Sequence, residues 1–262
     1  MSIAMMAAWA EVRREFRTFW TYRANVLTGM LSLYVIFVGF SFMLGRGELR
    51  PSDMAYALLG YVAWFLVNQV LQNVGQGIRW AAVGGTLEQM CLSPAPLGFI
   101  LMGRTVANLL ITTLFVALLS AILKLTHGVG VPMSLAGIPV CVLIVLGVYG
   151  FGYLIGGMVL IYKQMESLTS LLSNGMLFLN GTLLPVALMP RWLAAIARAL
   201  PSTQGVIVLR KVVLEGQTLG AAWADGSLMW LLVHSLLLLT SGIAVFTWCQ
   251  RIAQRNGSLG QY

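Results

Sequence analysis

Carboxamide side chains recur along one apolar stretch of the sequence. Positions 54–76 contain five of them: Asn68, Gln69, Gln72, Asn73 and Gln76. On a helix, at 100° per residue, the five occupy one arc of about 140°. An unsatisfied amide in hydrocarbon is costly, so this arc must meet water, a substrate or another helix. We expect it to line an inner cavity or a subunit interface; alternatively, the membrane span ends before the amides, which then lie in the cytosol.

A second, weaker polar set lies further along the chain. Asn174 and Asn180 follow Ser170 and Ser173 in an apolar segment at positions 167–189. Serine often bonds its own helix backbone, so only the two asparagines are candidate pathway residues.

Residue types for other chemistry are sparse. None of the three lysines follows the Gly-x-x-x-x-Gly-Lys-Ser/Thr loop that wraps phosphates, so the sequence predicts no ATP site of its own. The three cysteines show neither metal-ligand nor redox spacing. His234 and the run Ser173-Asn174-Gly175 keep an intramembrane Ser–His enzyme open as an alternative, although no Gly-x-Ser-x-Gly elbow occurs.

Composition places these residues in a membrane. Hydrophobic residues make up 59% of the 262 and charged residues only 9%, against about 25% charged in ordinary soluble domains. We therefore predict a single all-α membrane domain over 1–262, in which glycines such as Gly152 and Gly156 allow close helix packing. The predicted spans, each with at least the required length of about 20 residues, are 24–44, 54–76, 99–123, 132–161, 167–189 and 228–249.

Basic residues predict the orientation. The loops on one side, and both termini, hold nine Lys and Arg residues, including Arg13, Arg79 and Arg251, whereas the short opposite loops hold only Arg46, Arg50 and Lys124. Positive charge resists translocation, so both termini should be cytoplasmic and the protein a multi-pass protein of the cell membrane. The net charge of +8 then suits an anionic leaflet, and we expect no nucleic-acid partner.

Two segments outside the spans have helical patterns. Residues 1–23 place Trp9, Val12 and Phe16 on one side, which predicts an amphipathic interfacial helix; a frayed leader is the alternative. Residues 190–214 predict two short helices divided by Pro201, the second opened by a Ser202 cap. Their apolar content favours a re-entrant arrangement on the outer side over an ordinary surface loop.

The segment between the second and third spans predicts a short helix at 86–93. Thr86 and Gln89 form a capping box, and Pro94 ends the helix. Leu87 and Met90 then present a small apolar knob flanked by polar side chains.

Gly85-Thr86-Leu87-Glu88-Gln89 followed by Ser93-Pro94 resembles the coupling segment of the type-2 ABC export permeases. The resemblance implies that this segment docks on a separate cytoplasmic ABC ATPase, which binds ATP and Mg²⁺, while this chain holds no cofactor. It implies two permeases with two ATPases, external re-entrant helices at 190–214, and export of an amphipathic or hydrophobic substrate of the drug, lipid or polysaccharide class. The residues that would carry the coupling are Thr86, Leu87, Glu88, Gln89, Met90 and Pro94.

An ion-coupled carrier or channel is the other alternative. Such proteins keep ionisable residues near the membrane midplane, whereas all eight acids here lie outside the predicted spans. The sequence therefore favours the ATP-driven exporter, a transport subunit without an enzymatic site of its own.

Overall fold

The computed structural model describes residues 3–83, 97–130, 134–162, 166–182 and 186–255, and within these ranges all regular structure is helical. This confirms the predicted fold class. In chain order the helices are α1 (Ile3–Thr21), α2 (Arg23–Leu44), α3 (Pro51–Val83), α4 (Leu97–His127), α5 (Gly137–Tyr162), α6 (Glu166–Leu179), α7 (Arg191–Ala199), α8 (Pro201–Val213), α9 (Leu219–Ala224) and α10 (Ser227–Arg255). A 3₁₀ turn, Val186–Leu188, precedes α7.

Five of these helices are long and apolar enough to cross a membrane: α2, α3, α4, α5 and α10. They correspond to the predicted spans 24–44, 54–76, 99–123, 132–161 and 228–249. Helices α3 and α4 extend beyond the predicted ends, and α5 begins later than predicted, at Gly137. A sixth crossing is reached if α7 and α8, which meet at 90°, are counted together. The chain is thus a multi-pass membrane protein.

The predicted fifth span, 167–189, is not one continuous helix. Helix α6 has 14 residues, about 21 Å of rise, which is shorter than the hydrocarbon core of about 30 Å. It ends at Leu179, where Gly181 adopts a left-handed backbone with φ +80°. The Asn180 carboxamide also accepts a hydrogen bond from the Thr182 backbone N–H at 3.1 Å, which favours a turn over continued helix. We call Leu179 to Thr182 the α6 break.

The two short helices predicted at 190–214 are present, but the second begins differently. Leu200 is its N-cap residue and Pro201 its first residue. The predicted Ser202 cap is wrong, because the Ser202 hydroxyl is buried and bonds to none of the residues that the structure describes. Proline suits the first helical position, since its missing N–H would be unsatisfied there.

Helices α5 and α10 form the closest packing in the described part of the bundle. They run in the same direction, because Gly147, Gly150 and Gly157 face Ser235, Leu238 and Phe246 in that order. A Cβ added to Gly150 would lie 2.5 Å from the Leu238 backbone, and one added to Gly242 would overlap the Gly150 carbonyl oxygen.

The predicted glycine-mediated packing is therefore present, with a different distribution. Gly152, which begins the Gly-x-x-x-Gly motif, faces Val70 of α3 and not α10. Gly147, Gly150 and Gly157 form the contact with α10.

Helix α3 lies at the centre, with 72% of its span buried, against 17% for α2 and 22% each for α4 and α10. The outer helices thus leave apolar faces for lipid or a partner. Helix α1, the predicted amphipathic segment, packs along α4, where Phe19 meets Phe115 edge-on at 5.9 Å. We call the end of the bundle at Pro51, Gly137 and Ser227 the distal end, and the opposite end the terminal end.

Surface tryptophans mark two levels of the bundle. Trp230 and Trp248 of α10 are 54% and 62% exposed. About 27 Å of helix separates them, close to the thickness of the hydrocarbon core. Trp223 of α9 is also exposed near the distal end. Since tryptophan collects at both membrane–water interfaces, the pair indicates where α10 enters and leaves the hydrocarbon.

Candidate functional site

The predicted coupling residues Thr86, Leu87, Glu88, Gln89, Met90 and Pro94 lie outside the described residues. The helices on both sides of them are described: α3 ends at Val83 and α4 begins at Leu97. Any force applied to the connecting segment reaches the bundle through these two helices.

One edge of the α3 amide arc packs on α6. The Ser173 hydroxyl donates to Asn68 Oδ1 at 2.7 Å, and the Trp64 indole N–H donates to the Ser173 carbonyl at 2.8 Å. Asn68 is half-buried, so this edge is a helix–helix contact.

The other edge of the arc faces α4 and α5. The Asn73 amide donates to the Gln69 carbonyl at 2.7 Å and borders a narrow cleft. The Tyr149 hydroxyl spans this cleft to donate to the Thr105 carbonyl at 3.0 Å. The cleft is lined by Asn73, Val74, Arg104, Thr105, Asn108, Tyr149 and Tyr153. Its exposed wall is mainly apolar, although one guanidinium, two amides and three hydroxyl groups border it.

Gln69 and Gln72 lie between these two edges and are half-buried. We call Asn68, Gln69, Gln72 and Asn73 the amide face. The Gln76 side chain is outside the described part of the structure. Neutral carboxamides donate and accept hydrogen bonds without adding charge, so the amide face can bind water or a polar group of a substrate.

The two asparagines predicted on the fifth span have different surroundings. Asn174 is exposed, on the same side of α6 as Leu171 and Phe178, which are 69% and 57% exposed. Asn180 is completely buried, and its amide donates to the Gly60 carbonyl at 3.1 Å. It also accepts from the Thr182 hydroxyl. Asn174 thus faces outward from the bundle, whereas Asn180 holds the α6 break against α3.

Arg210 of α8 is a site residue that we did not predict. It is only 4% exposed, and its guanidinium donates to the Tyr56 carbonyl at 2.9 and 3.1 Å and to the Gly181 carbonyl at 2.9 Å. It also stacks on the Tyr56 ring, 3.6 Å from the centroid. A cation near a helix C-terminus is favoured by the helix dipole, and Gly181 follows the end of α6.

One feature of the sequence could have indicated Arg210. Apart from Arg210 and Lys211, the run from Val206 to Val213 is apolar, and an arginine inside an apolar run is by default a structural or functional residue and not a loop charge. Its contacts could not be foreseen from spacing. The Tyr56 carbonyl that Arg210 contacts belongs to a row of α3 residues spaced one helical turn apart. Each residue of the row contacts α6, α8 or the α6 break: Tyr56, Gly60, Trp64 and Asn68.

His234 lies apart from Ser173. Its ring stacks on Trp230 with 8° between the planes and lies beside the backbone of Ala199 at the end of α7. The Ser173 hydroxyl is bonded to Asn68 instead. The described geometry therefore gives no support to a Ser–His pair, and among the same residues no cluster of His, Cys, Asp and Glu could hold a metal.

Comparison with protein families identifies a family for most of the chain. The family model for the ABC-2 type transporter matches residues 6–214, which extend from α1 through α8. None of the curated proteins compared with the chain is significantly similar to it in sequence. The match covers well over half of the chain and includes the amide face, the α6 break and the segment between α3 and α4. The chain therefore belongs to the ABC-2 type transporter family and is the membrane-spanning permease component of an ABC transporter.

Proposed function

We propose that the chain forms, with a second copy of itself, the membrane pathway of an exporter driven by a separate cytoplasmic ABC ATPase. The substrate is amphipathic or hydrophobic, of the drug, lipid or polysaccharide class, and moves outward from the cytoplasm or inner leaflet. The observation that carries this proposal is the amide face, together with the family to which the chain belongs. ATP and Mg²⁺ are bound by the ATPase, since this sequence has no phosphate-binding loop.

The surroundings of the amide face support a pathway role for its middle. Asn68 is bonded to Ser173 of α6, and Asn73 is bonded to the Gln69 backbone of its own helix. Gln69 and Gln72 lie between these two residues on the amide face and are half-buried. Exposing such amides to lipid tails would be costly. A pathway that supplies water or substrate hydroxyl and carbonyl groups removes that cost and selects for neutral polar groups.

Asn174 supports the homodimer. An amide on an apolar surface, between Leu171 and Phe178, is poorly matched to hydrocarbon. A second permease packed over α6 would satisfy it. Asn180, in contrast, already forms hydrogen bonds with Gly60 and Thr182 of the same chain, and we assign it to maintaining the α6 break.

Helix α3 supports the proposed coupling. It is one continuous helix of 33 residues, about 50 Å long. One end joins the 86–94 segment and the other carries Tyr56, which Arg210 holds. A push from the ATPase would therefore reach the amide face and the α6 break through a single element.

Exposed charge supports cytoplasmic termini in the inner membrane. Arg251 and Arg255 are exposed at the terminal end. At the distal end, Arg210 is buried against carbonyl groups and Lys211 pairs with Asp225 at 2.8 Å. Two of the basic residues in the segment between α6 and α10 are thus not free charges. This increases the difference in free positive charge between the terminal end and the distal end, and that difference determines the orientation.

Coupling can be tested by co-purification with the ATPase. Leu87→Asp or Glu88→Arg should abolish co-purification while the permease still elutes as a folded protein. Glu48→Arg is the matched control, because Glu48 is exposed at the distal end and should not affect docking. Undisturbed ATPase binding by both 87 and 88 variants would contradict the proposal, and so would transport driven by an ion gradient without ATP.

A further inference from the structure

Helix α7 lies across the bundle and not along it. Helix α8 runs antiparallel to α5, since Gly137 faces Leu209 and Val213 while Ile144 faces Gly205. Because α5 is a membrane span and α7 meets α8 at 90°, α7 is oriented close to the membrane plane.

The depth of α7 in the membrane can be inferred from its contact with α10. The His234 ring lies beside the backbone of Ala199, the last residue of α7. His234 is one turn, about 6 Å, further into the membrane than Trp230, which marks the distal interface. The end of α7 therefore lies just below the level at which lipid headgroups meet acyl chains.

The side chains of α7 divide its surface into three parts. Ala197 is fully buried and packs against Val186 and Met189, which fixes the rotation of the helix. On the open side, Trp192 is 67% and Ile196 49% exposed. Together with Leu188 of the preceding turn, which is 70% exposed, they make an apolar edge.

Arg191 and Arg198 form a basic edge beside it. Both are exposed, and seven residues of helix place them on the same side, about 10 Å apart along the axis. Neither forms a salt bridge with any residue that the structure describes. Two guanidinium groups next to an exposed tryptophan match the charge and polarity of a phospholipid surface.

We propose that α7 is an interfacial helix that binds phospholipid headgroups. Trp192, Ile196 and Leu188 insert among the upper acyl carbons. Arg191 and Arg198 extend toward the headgroups, and each donates paired hydrogen bonds to phosphate oxygens of a separate lipid. Two uncompensated positive charges favour an anionic lipid over a zwitterionic one. The occupant of this surface is thus a phospholipid such as phosphatidylglycerol, bound at the distal leaflet.

Binding can be measured by native mass spectrometry of the full-length chain in micelles titrated with phosphatidylglycerol or phosphatidylcholine. Arg191→Gln/Arg198→Gln should weaken phosphatidylglycerol binding roughly 30-fold, from the attraction expected for two basic side chains at an anionic surface. Binding of phosphatidylcholine should change less. Arg46→Gln/Arg50→Gln is the matched control, since it removes two exposed arginines near the distal end. Lysine at both 191 and 198 should restore part of the affinity.

The proposal is overturned if the glutamine double variant binds phosphatidylglycerol like the wild type. It is also overturned if that variant changes the monomer–dimer equilibrium while lipid binding stays intact, because α7 would then face a second copy of the chain. Depth is tested by fluorescence quenching with phosphatidylcholine brominated near the headgroup. Trp192→Phe should lower the quenched fraction, and an unchanged fraction also counts against the proposal. Co-purification with the ATPase is a separate measurement, so failure here leaves the export proposal standing.

Discussion

Replacing Arg210 tests whether a buried cation holds the α6 break. In Arg210→Ala, the Tyr56 and Gly181 carbonyls lose charged donors, at about 2 kcal/mol each, and the Tyr56 ring loses a stacking contact of about 1 kcal/mol. Release of a buried charge offsets part of that sum. We expect a net loss of about 3 kcal/mol in the free energy of unfolding.

The assay is thermal unfolding of the purified permease in detergent micelles. A loss of about 3 kcal/mol corresponds to a decrease in Tm of roughly 6–12 °C for a domain of this size. Arg210→Lys should lose about half as much, because an ammonium cannot span the two carbonyls with the planar fork of a guanidinium. Lys211→Gln is the neighbouring control, since it removes a partly exposed ion pair with Asp225 and should have a small effect.

Arg210→Met supplies the result that would refute this reasoning. Buried charges are often replaced by apolar residues of similar volume with no loss, or with a gain, in stability. If the methionine variant unfolds at or above the temperature of the wild type, the Arg210 contacts do not hold the break. We expect it to unfold at a lower temperature, because methionine leaves the Gly181 carbonyl without a donor.

Three further predictions concern packing, pH and transport. Gly242→Ala should lower stability by about 1–3 kcal/mol in the same assay, because its Cβ would overlap the Gly150 carbonyl, whereas Gly175→Ala meets open space and should be neutral. Hydrogen bonds from Lys211 and Ser227 hold the pKa of Asp225 well below its usual range. The stability that the Asp225 carboxylate contributes is therefore present above its unfolded pKa of about 3.9 and is lost as pH falls through the folded pKa. The Tm difference between wild type and Asp225→Asn should be constant from about pH 5 to 8 and shrink below about pH 4. Gln69→Leu/Gln72→Leu should slow ATP-driven transport into vesicles roughly fivefold for each lost hydrogen bond while ATPase co-purification is retained, and unaltered transport would remove the amide face from the pathway.

The membrane spans could be predicted because, in a chain of this composition, a long apolar run can form few structures other than a membrane-spanning helix. The segments that became α2, α5 and α10 needed no information from elsewhere in the sequence. Hydropathy averaged over a window could not detect the α6 break, however, because Asn180, Gly181 and Thr182 are only three residues within an apolar stretch. What stabilises the break is Arg210, about 30 residues later in the sequence, and that contact exists only in the folded bundle.

For the amide arc, too, the position of the side chains on the helix could be predicted, but their contacts with other helices could not. Helical periodicity placed Asn68 to Asn73 on one face, and the structure keeps them there. Periodicity could not indicate that Asn68 meets Ser173 while Asn73 borders the α4–α5 cleft, because these partners depend on how α3 packs. The role of Ser202 was misjudged for a related reason: Pro201 can begin a helix without a capping side chain.

The shortness of α6 has a consequence for the surrounding bilayer. A helix of about 21 Å beside neighbours of about 40 Å leaves a hydrophobic mismatch on one side of the permease. Where neither α7 nor a second protein surface covers that side, the lipid next to it has to become thinner. A thicker membrane would then increase the strain at this one flank, so bilayer thickness should influence the assembly of two permeases more strongly than the fold of either.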